Sequence, residues 1–228
     1  MRCAILIPTT DNEPFRSIEN EGQRQTWVKS FSNNKDIKIF YYKFDSLTSS
    51  IKLHDKDNIL FPGEESKADI GKKTVQAFQF IKDRYDPDFI YRTNISSYIH
   101  YHTFINHIEE IPKNKFYGGL IGYHPPRGSI GQMFCSGSGY FISRDLINLC
   151  LSKKQLWNHS LPDDVAISQI FLQEGIRPLP QERFDFPHLD SSINIDVPDD
   201  IFHFRCKFPQ NRSIDIQRMH FLHKYLGY

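Results

Sequence analysis

Cys3-Ala4-Ile5-Leu6-Ile7, closed by Pro8-Thr9-Thr10, carries no polar residue between Cys3 and Ile7. A strand with one wet face alternates apolar and polar side chains. A strand covered on both faces reads instead as a continuous apolar run, as in a parallel sheet between layers of helices. The run therefore predicts a buried strand opening an α/β fold.

Working outward, residues 16–31 read as helical, and residues 36–44 (DIKIFYYKF), rich in β-branched and aromatic side chains, read as a second strand. Ser66 and Asp69 have the spacing of a capping box, and Val75, Phe78, Ile81 and Tyr85 recur at helical spacing behind them. A helix over about residues 66–84 follows, stopped by Asp86-Pro87. Phe89-Ile90-Tyr91 is a short central strand that delivers Arg92, Thr93 and Asn94 to the strand end where α/β sheets bind ligands. Residues 102–111 read as a helix, 116–123 as a strand, and 124–129 (HPPRGS) as an irregular loop. Residues 133–143 (MFCSGSGYFIS) have strand-forming flanks around Ser136, Gly137, Ser138 and Gly139, small residues expected to let a ligand approach the backbone. Leu161-Pro162-Asp163-Asp164 starts a helix that ends at Gly175, 201–204 is strand-like, and 213–225 is a final helix.

Strands alternating with helices predict an α/β, Rossmann-like architecture with a central, mostly parallel sheet flanked by helices. No Gly/Ser-rich or Pro-rich linker divides the 228 residues, so one domain is expected. Lys and Arg number 28 against 27 Asp and Glu, a balance that gives no field favouring nucleic acid or an anionic membrane. No apolar run approaches the ~20 residues of a membrane helix, so the chain reads as soluble and cytoplasmic, and the lack of a membrane segment hints at a bacterial or viral source. Cys3, Cys135, Cys150 and Cys206 lack CxxC spacing, which indicates neither a zinc site nor a disulfide framework. There is no GxGxxG after the first strand and no GxxxxGK[ST], which removes the main support for a dehydrogenase or a P-loop NTPase.

Two clusters carry candidate chemistry. Asp163 and Asp164 sit at a helix N-terminus, where one of them can serve as general base; the plain alternative is a cap and a first-turn dipole partner. His203, Arg205 and Lys207 alternate along a strand, so all three are placed to meet a pyrophosphate from one face; the plain alternative is a solvated edge strand.

Four segments, in order, resemble the fringe-like and β3-galactosyltransferase-like glycosyltransferases of the GT-A fold. They are Pro8-Thr9-Thr10 with Gln25-Thr26-Trp27; Lys72-Lys73-Thr74 with residues 85–99 (YDPDFIYRTNISSYI); residues 135–146 (CSGSGYFISRDL), close to the family's CSGGGYVLSRDL-type segment; and Asp163-Asp164-Val165 with Gly175-Ile176. The resemblance implies inverting transfer from a nucleotide-sugar donor, of UDP-sugar type, to a glycan hydroxyl. It implies a donor-binding half over about residues 1–123 and an acceptor-binding, catalytic half over about 124–228. Asp164 matches the family's catalytic base; Thr9, Thr10 and Arg16 would lie near the nucleotide, and Ser136 to Gly139 near the donor sugar or acceptor. The chain departs from the family at its Asp-x-Asp run, which falls on Asn94-Ile95-Ser96. Two neutral oxygens lack the charge that holds Mn²⁺ or Mg²⁺ against a diphosphate. His203 matches a histidine that ligates the metal in some relatives, leaving a weak site of Asn94 and His203; otherwise Arg205, Lys207 and Arg212 neutralise the diphosphate without metal. A non-catalytic relative that binds a glycan or nucleotide, and a nucleotidyltransferase, remain the competing classes.

Overall fold

The structure, a computed structural model, describes residues 1–124, 132–193 and 195–228. Pro125 to Ser129 of the expected loop lie outside the described residues. In chain order the first elements are β1 (Cys3–Pro8), α1 (Phe15–Ser17), α2 (Trp27–Ser30), β2 (Ile37–Asp45), β3 (Lys52–His54), β4 (Asn58–Pro62), α3 (Ile70–Arg84), β5 (Phe89–Thr93), β6 (Ser97–Ile99) and α4 (Tyr101–Glu110). They continue with β7 (Tyr117–His124), β8 (Gln132–Ser143), α5 (Arg144–Ser152), α6 (Asp163–Gln173), β9 (Leu179–Pro180), β10 (Phe184–Asp185), β11 (His203–Arg205) and α7 (Ser213–Tyr225).

Eight strands form a mixed, mostly parallel sheet in the order β3-β4-β2-β1-β5-β8-β7-β9. β1 lies at its centre, parallel to β2 and β5, and β2 is parallel to β4. β8 runs antiparallel to both β5 and β7, and β3 antiparallel to β4. Alternate side chains of β1 enter two separate cores, as its unbroken apolar run requires. Cys3, Ile5 and Ile7 pack with Phe89, Tyr91, Phe104, Phe141, Phe202 and Met219; Ala4 and Leu6 pack on the other face with Phe40, Tyr42, Phe78, Ile81, Ile142 and Phe171. All four cysteines are buried free thiols. No helix among the described residues is long and apolar enough to cross a membrane.

Three local features differ from the sequence expectation. The stretch read as one helix over 16–31 is broken: α1 runs into π-helical turns over Ile18–Gln23, closed by Arg24 N–H donating to the Glu19 carbonyl at 2.9 Å, before α2. The wide turn lets the Gln23 amide donate to the Asn94 and Ser97 carbonyls at 3.0 and 3.1 Å, and Gly22 passes so close to Met219 that a Cβ would sit 2.9 Å from its sulfur. The hairpin of β3 and β4 turns through Asp55 and Lys56 at φ of 50° and 69°, a left-handed turn without the usual glycine signal. A second sheet of β10, β11 and β6 packs beside the first, and β11 ends at Arg205.

Phe141 anchors the helix-covered face: its ring centroid lies 4.4 Å from that of Tyr91 and 5.5 Å from that of Phe104, and it is fully buried. Phe141→Ala should cost about 3–5 kcal/mol in urea unfolding. A loss under about 1 kcal/mol would mean that the cluster refills the space.

Candidate functional site

The chain leaves β1 toward β2 on one side and returns to it through β5 on the other, so the C-terminal ends of β1 and β5 form a topological switch point, where open α/β sheets hold ligands. Arg92 and Thr93 close β5 there. Arg92 is buried, and its Nη2 donates to Asp163 Oδ2 at 2.7 Å; the Thr74 hydroxyl meets the same oxygen at 3.3 Å. Burial opposes the charge on Arg92, but Asp163 together with Tyr42, Tyr140 and Asp164 outweighs it, so the guanidinium is held protonated more firmly than usual.

The two adjacent aspartates therefore differ. Asp163 is 5% exposed and paired with Arg92. Asp164 is half-buried; its Oδ2 accepts the Gly137 N–H at 2.7 Å and its Oδ1 the Val165 N–H at 2.9 Å. Burial, and then the neighbouring Asp163, push the Asp164 pKa up, against the two N–H bonds and Arg92. A carboxylate made more basic and left partly open can take up a proton.

Gly137 belongs to a bulge. The β7–β8 ladder steps from Gly119↔Tyr140 to Ile121↔Cys135, so Ser136 to Gly139 stand opposite Leu120 alone. The glycines here make room for the protein's own side chains. A Cβ on Gly137 would lie 2.8 Å from Arg92 Nη1 and 2.9 Å from Asp164 Oδ2; one on Gly139 would lie 2.3 Å from the Tyr91 hydroxyl and 2.4 Å from the His203 ring. The hydroxyls of Ser136 and Ser138 are 2.9 Å apart, and the Ser138 carbonyl accepts from Thr93 and Ser97 at 2.6 and 3.1 Å.

Arg183, which no sequence motif marks, completes this corner. Its Nε and Nη2 grip Asp185 at 2.5 and 2.7 Å, while Nη1 donates to Ser138 Oγ and, at 3.4 Å, to Ser136 Oγ. Arg205 is the register partner of Asp185 and of Ser97, and Arg212 donates to Ser96 Oγ at 2.6 Å and to Asp215 at 2.8 Å. Burial, then Arg183, disfavour the charge on Arg205, with Asp185 and Asp215 opposing them and Arg212 adding a weaker push; the Arg205 side chain makes no hydrogen bond or ion pair with the described residues. Lys207 lies past the end of β11, outside the alternation expected to align it with His203 and Arg205; its carbonyl accepts from Arg218.

Asn94 and His203 converge on one group, the Ser97 hydroxyl, which lies 3.1 Å from Asn94 Oδ1 and 3.0 Å from His203 Nε2 and shares its one proton between Asn94 and the Ser138 carbonyl. Asn94 Oδ1 also accepts the Ser96 N–H at 3.0 Å. His203 is buried, and burial together with Arg183 and Arg205 lowers its pKa well below that of a free imidazole, so it is neutral. These residues do not fit a divalent cation: the amide oxygen is already used twice, and cations surround the imidazole where a metal site needs carboxylates.

At the end of β1 the Thr9 hydroxyl is buried and donated to Glu19 at 2.8 Å, while the Thr9 carbonyl accepts from Lys73 at 3.0 Å. Thr10 accepts the Asn12 N–H, and Arg16 is exposed beside Glu13. Arg16, with Asp11, Glu19, Arg24, Lys43 and Asp57, lines a cleft of about 600 Å³ whose wall includes neither Asp163 nor Asp164. The Thr9–Glu19 bond is where cleft and strand end meet.

No protein-family model and no curated protein matches this sequence. Among solved structures, the chain is similar to a glycosyltransferase involved in glycosylation of the major capsid of PBCV-1, with a TM-score of 0.56 at 12% identity over 96% of this chain and 100% of the other. It is also similar to the Francisella tularensis 2-C-methyl-D-erythritol 4-phosphate cytidylyltransferase (TM-score 0.47, 13% identity, 79% and 89% covered) and to the catalytic domain of Drosophila beta1,4-galactosyltransferase 7 (0.45, 12%, 78% and 64%). At such identity the first likeness shows a GT-A-like fold, and the other two add no weight.

The aspartates should separate in urea unfolding at pH 7. Asp163→Ala strands the buried Arg92 charge and should cost about 3–5 kcal/mol. Asp164→Asn removes a charge that burial disfavours but keeps only one of two N–H acceptors, and should cost clearly less than Asp163→Ala. A carboxyl whose folded pKa is raised binds more protons folded than unfolded, so native stability falls as pH rises from the unfolded value near 3.8 through the folded one, and the amide abolishes that loss. Equal destabilisation by both substitutions would contradict the division of roles.

Proposed function

We propose that this protein is a nucleotide-sugar-dependent glycosyltransferase, of the fringe-like type that the four sequence segments resemble, in which Asp164 is the general base. The observation that carries the reading is Asp164 itself: a half-buried carboxylate of raised basicity at the switch point, next to an aspartate neutralised by Arg92. In the proposed step Asp164 takes the proton of an acceptor hydroxyl. That oxygen bonds to the anomeric carbon from the face opposite the diphosphate, and the bond to the diphosphate oxygen breaks with inversion. The donor, a UDP-sugar on this reading, places its nucleoside toward the cleft that Arg16 lines, with residues 1–123 forming the donor half and 124–228 the acceptor half of one domain. Arg205 and Arg212, with Lys207 behind them, take the charge of the leaving diphosphate. Because the residues around Asn94 and His203 do not fit a divalent cation, no step is assigned to Mn²⁺ or Mg²⁺.

A panel of UDP-, GDP-, dTDP- and CMP-sugars, followed by nucleotide release with Mn²⁺ and with a chelator, tests this directly. Release of one nucleotide is expected, undiminished by chelator. Asp164→Asn should retain donor binding while turnover falls about 10²- to 10⁴-fold, since a base acts only in the transition state. Because burial and Asp163 raise the Asp164 pKa, the acid limb of kcat/KM should lie above the ordinary carboxylate range. Binding of a nucleotide with no release under any condition, across a set of glycan acceptors, would favour a non-catalytic relative.

A further inference from the structure

The Ser136–Gly139 bulge has lost its ladder with β7, so something else must fix its position to the accuracy that a 2.7 Å bond from Gly137 N–H to Asp164 demands. The Thr93 and Ser97 hydroxyls hold the bulge by its Ser138 carbonyl on the β5 side. The other hold is Arg183, whose Nη1 donates into the paired hydroxyls of Ser138 and Ser136, the two side chains that flank Gly137. Arg183 is fixed in turn by its bidentate grip on Asp185, and its side chain is only 7% exposed. A guanidinium held through two nitrogens keeps its third in one place at little further cost in conformational entropy.

We propose that Arg183 is a positioning residue for Asp164: by clamping Ser136 and Ser138 it holds the Gly137 N–H on the Asp164 carboxylate. The chain of contacts runs from Asp185 through Arg183 and the serine pair to Gly137 and Asp164, and crosses from the second sheet to the N-terminus of α6. Its chemical consequence is a limit on basicity. The N–H bond stabilises the ionised carboxylate and opposes the upward push of burial and Asp163. Arg183 does this through hydrogen bonds, without touching Asp164. This assignment rests on the reading of Asp164 as the base only for its functional meaning; the positional claim is testable without substrate.

The experiment is a pH titration of the Asp164 carboxyl carbon by NMR, in ¹³C-aspartate-labelled full-length protein, with the resonance assigned from Asp164→Asn. The variants are Arg183→Gln, Arg183→Lys and Ser138→Ala, each first shown to be folded by its thermal melt. Arg183→Gln and Ser138→Ala should each raise the Asp164 pKa by about one unit, the worth of one hydrogen bond to a charged group. Arg183→Lys, which keeps a donor but loses the bidentate grip, should fall between them and the parent. The acid limb of the rate profile should move in parallel. Ser138→Ala is the decisive variant because it leaves the guanidinium charge in place. A shift in Arg183→Gln alone would reduce Arg183 to a distant charge and overturn the proposal, as would no shift in either. If both shift while Asp164→Asn keeps full turnover, the positioning role stands and the general-base reading falls.

Discussion

The buried pair of Arg92 and Asp163 is the constraint around which the site is organised. Burying a guanidinium and a carboxylate costs several kcal/mol per ion unless each finds the other in good geometry. Here they meet at 2.7 Å, with Arg92 entering from the C-terminal end of β5 and Asp163 from the first turn of α6. The pair therefore locks a helix to a strand end. Because Asp164 is the next residue, the same lock fixes where its carboxylate stands. The neighbouring strand has to yield room, and Gly137, which cannot carry a side chain without striking Arg92 or Asp164, is that concession.

A second set of charges holds the edge of the switch point. Lys73 is almost fully buried, yet its ammonium donates to the Thr9 carbonyl and to both oxygens of Glu65, and Glu65 also accepts the Phe44 N–H at 2.7 Å. Burial lowers the Lys73 pKa and Glu65 opposes it. The ends of β1 and β2 are thus tied to α3, and through Thr9 and Glu19 to the π-helical turns. Thr9 acts here as a structural link whose hydroxyl is already spent on Glu19, and Arg16 is the member of the proposed nucleotide group that reaches open solvent.

The fold was largely legible because its strongest signals are local. The apolar run at Cys3 to Ile7, the helical spacing behind Ser66 and the stop at Asp86-Pro87 all reappear as β1, α3 and the start of β5. What the sequence hides is what depends on tertiary partners. The π-helical turns need Met219 and the Asn94 and Ser97 carbonyls to favour them over an ordinary helix. The Asp55-Lys56 turn adopts positive φ without glycine. At the site, the Asp163-Asp164 dipeptide was visible, but nothing in it tells which carboxylate is buried against Arg92, 71 residues away in the chain. Arg183 was invisible for the same reason: it immediately precedes a two-residue strand with no periodicity, and its meaning comes entirely from Asp185 and the serine pair.

The electrostatics of the corner formed by β10, β11 and β6 suit an anionic ligand better than a divalent cation. In a metal-binding arrangement, carboxylates create a negative field that a divalent cation neutralises before an anionic ligand arrives. Here the order of charge is inverted. Asp185 and Asp215 pair with Arg183 and Arg212, and Arg205 shares the corner with its charge disfavoured by burial and Arg183, against Asp185 and Asp215, and by Arg212. His203, kept neutral in the same field, adds nothing to the repulsion. A largely buried cation of this kind is a stored electrostatic cost that an incoming anion relieves, because charge interactions strengthen as water is excluded. On the function proposed above, the diphosphate would provide that relief, and the arginines would do for it what the acids and metal do elsewhere.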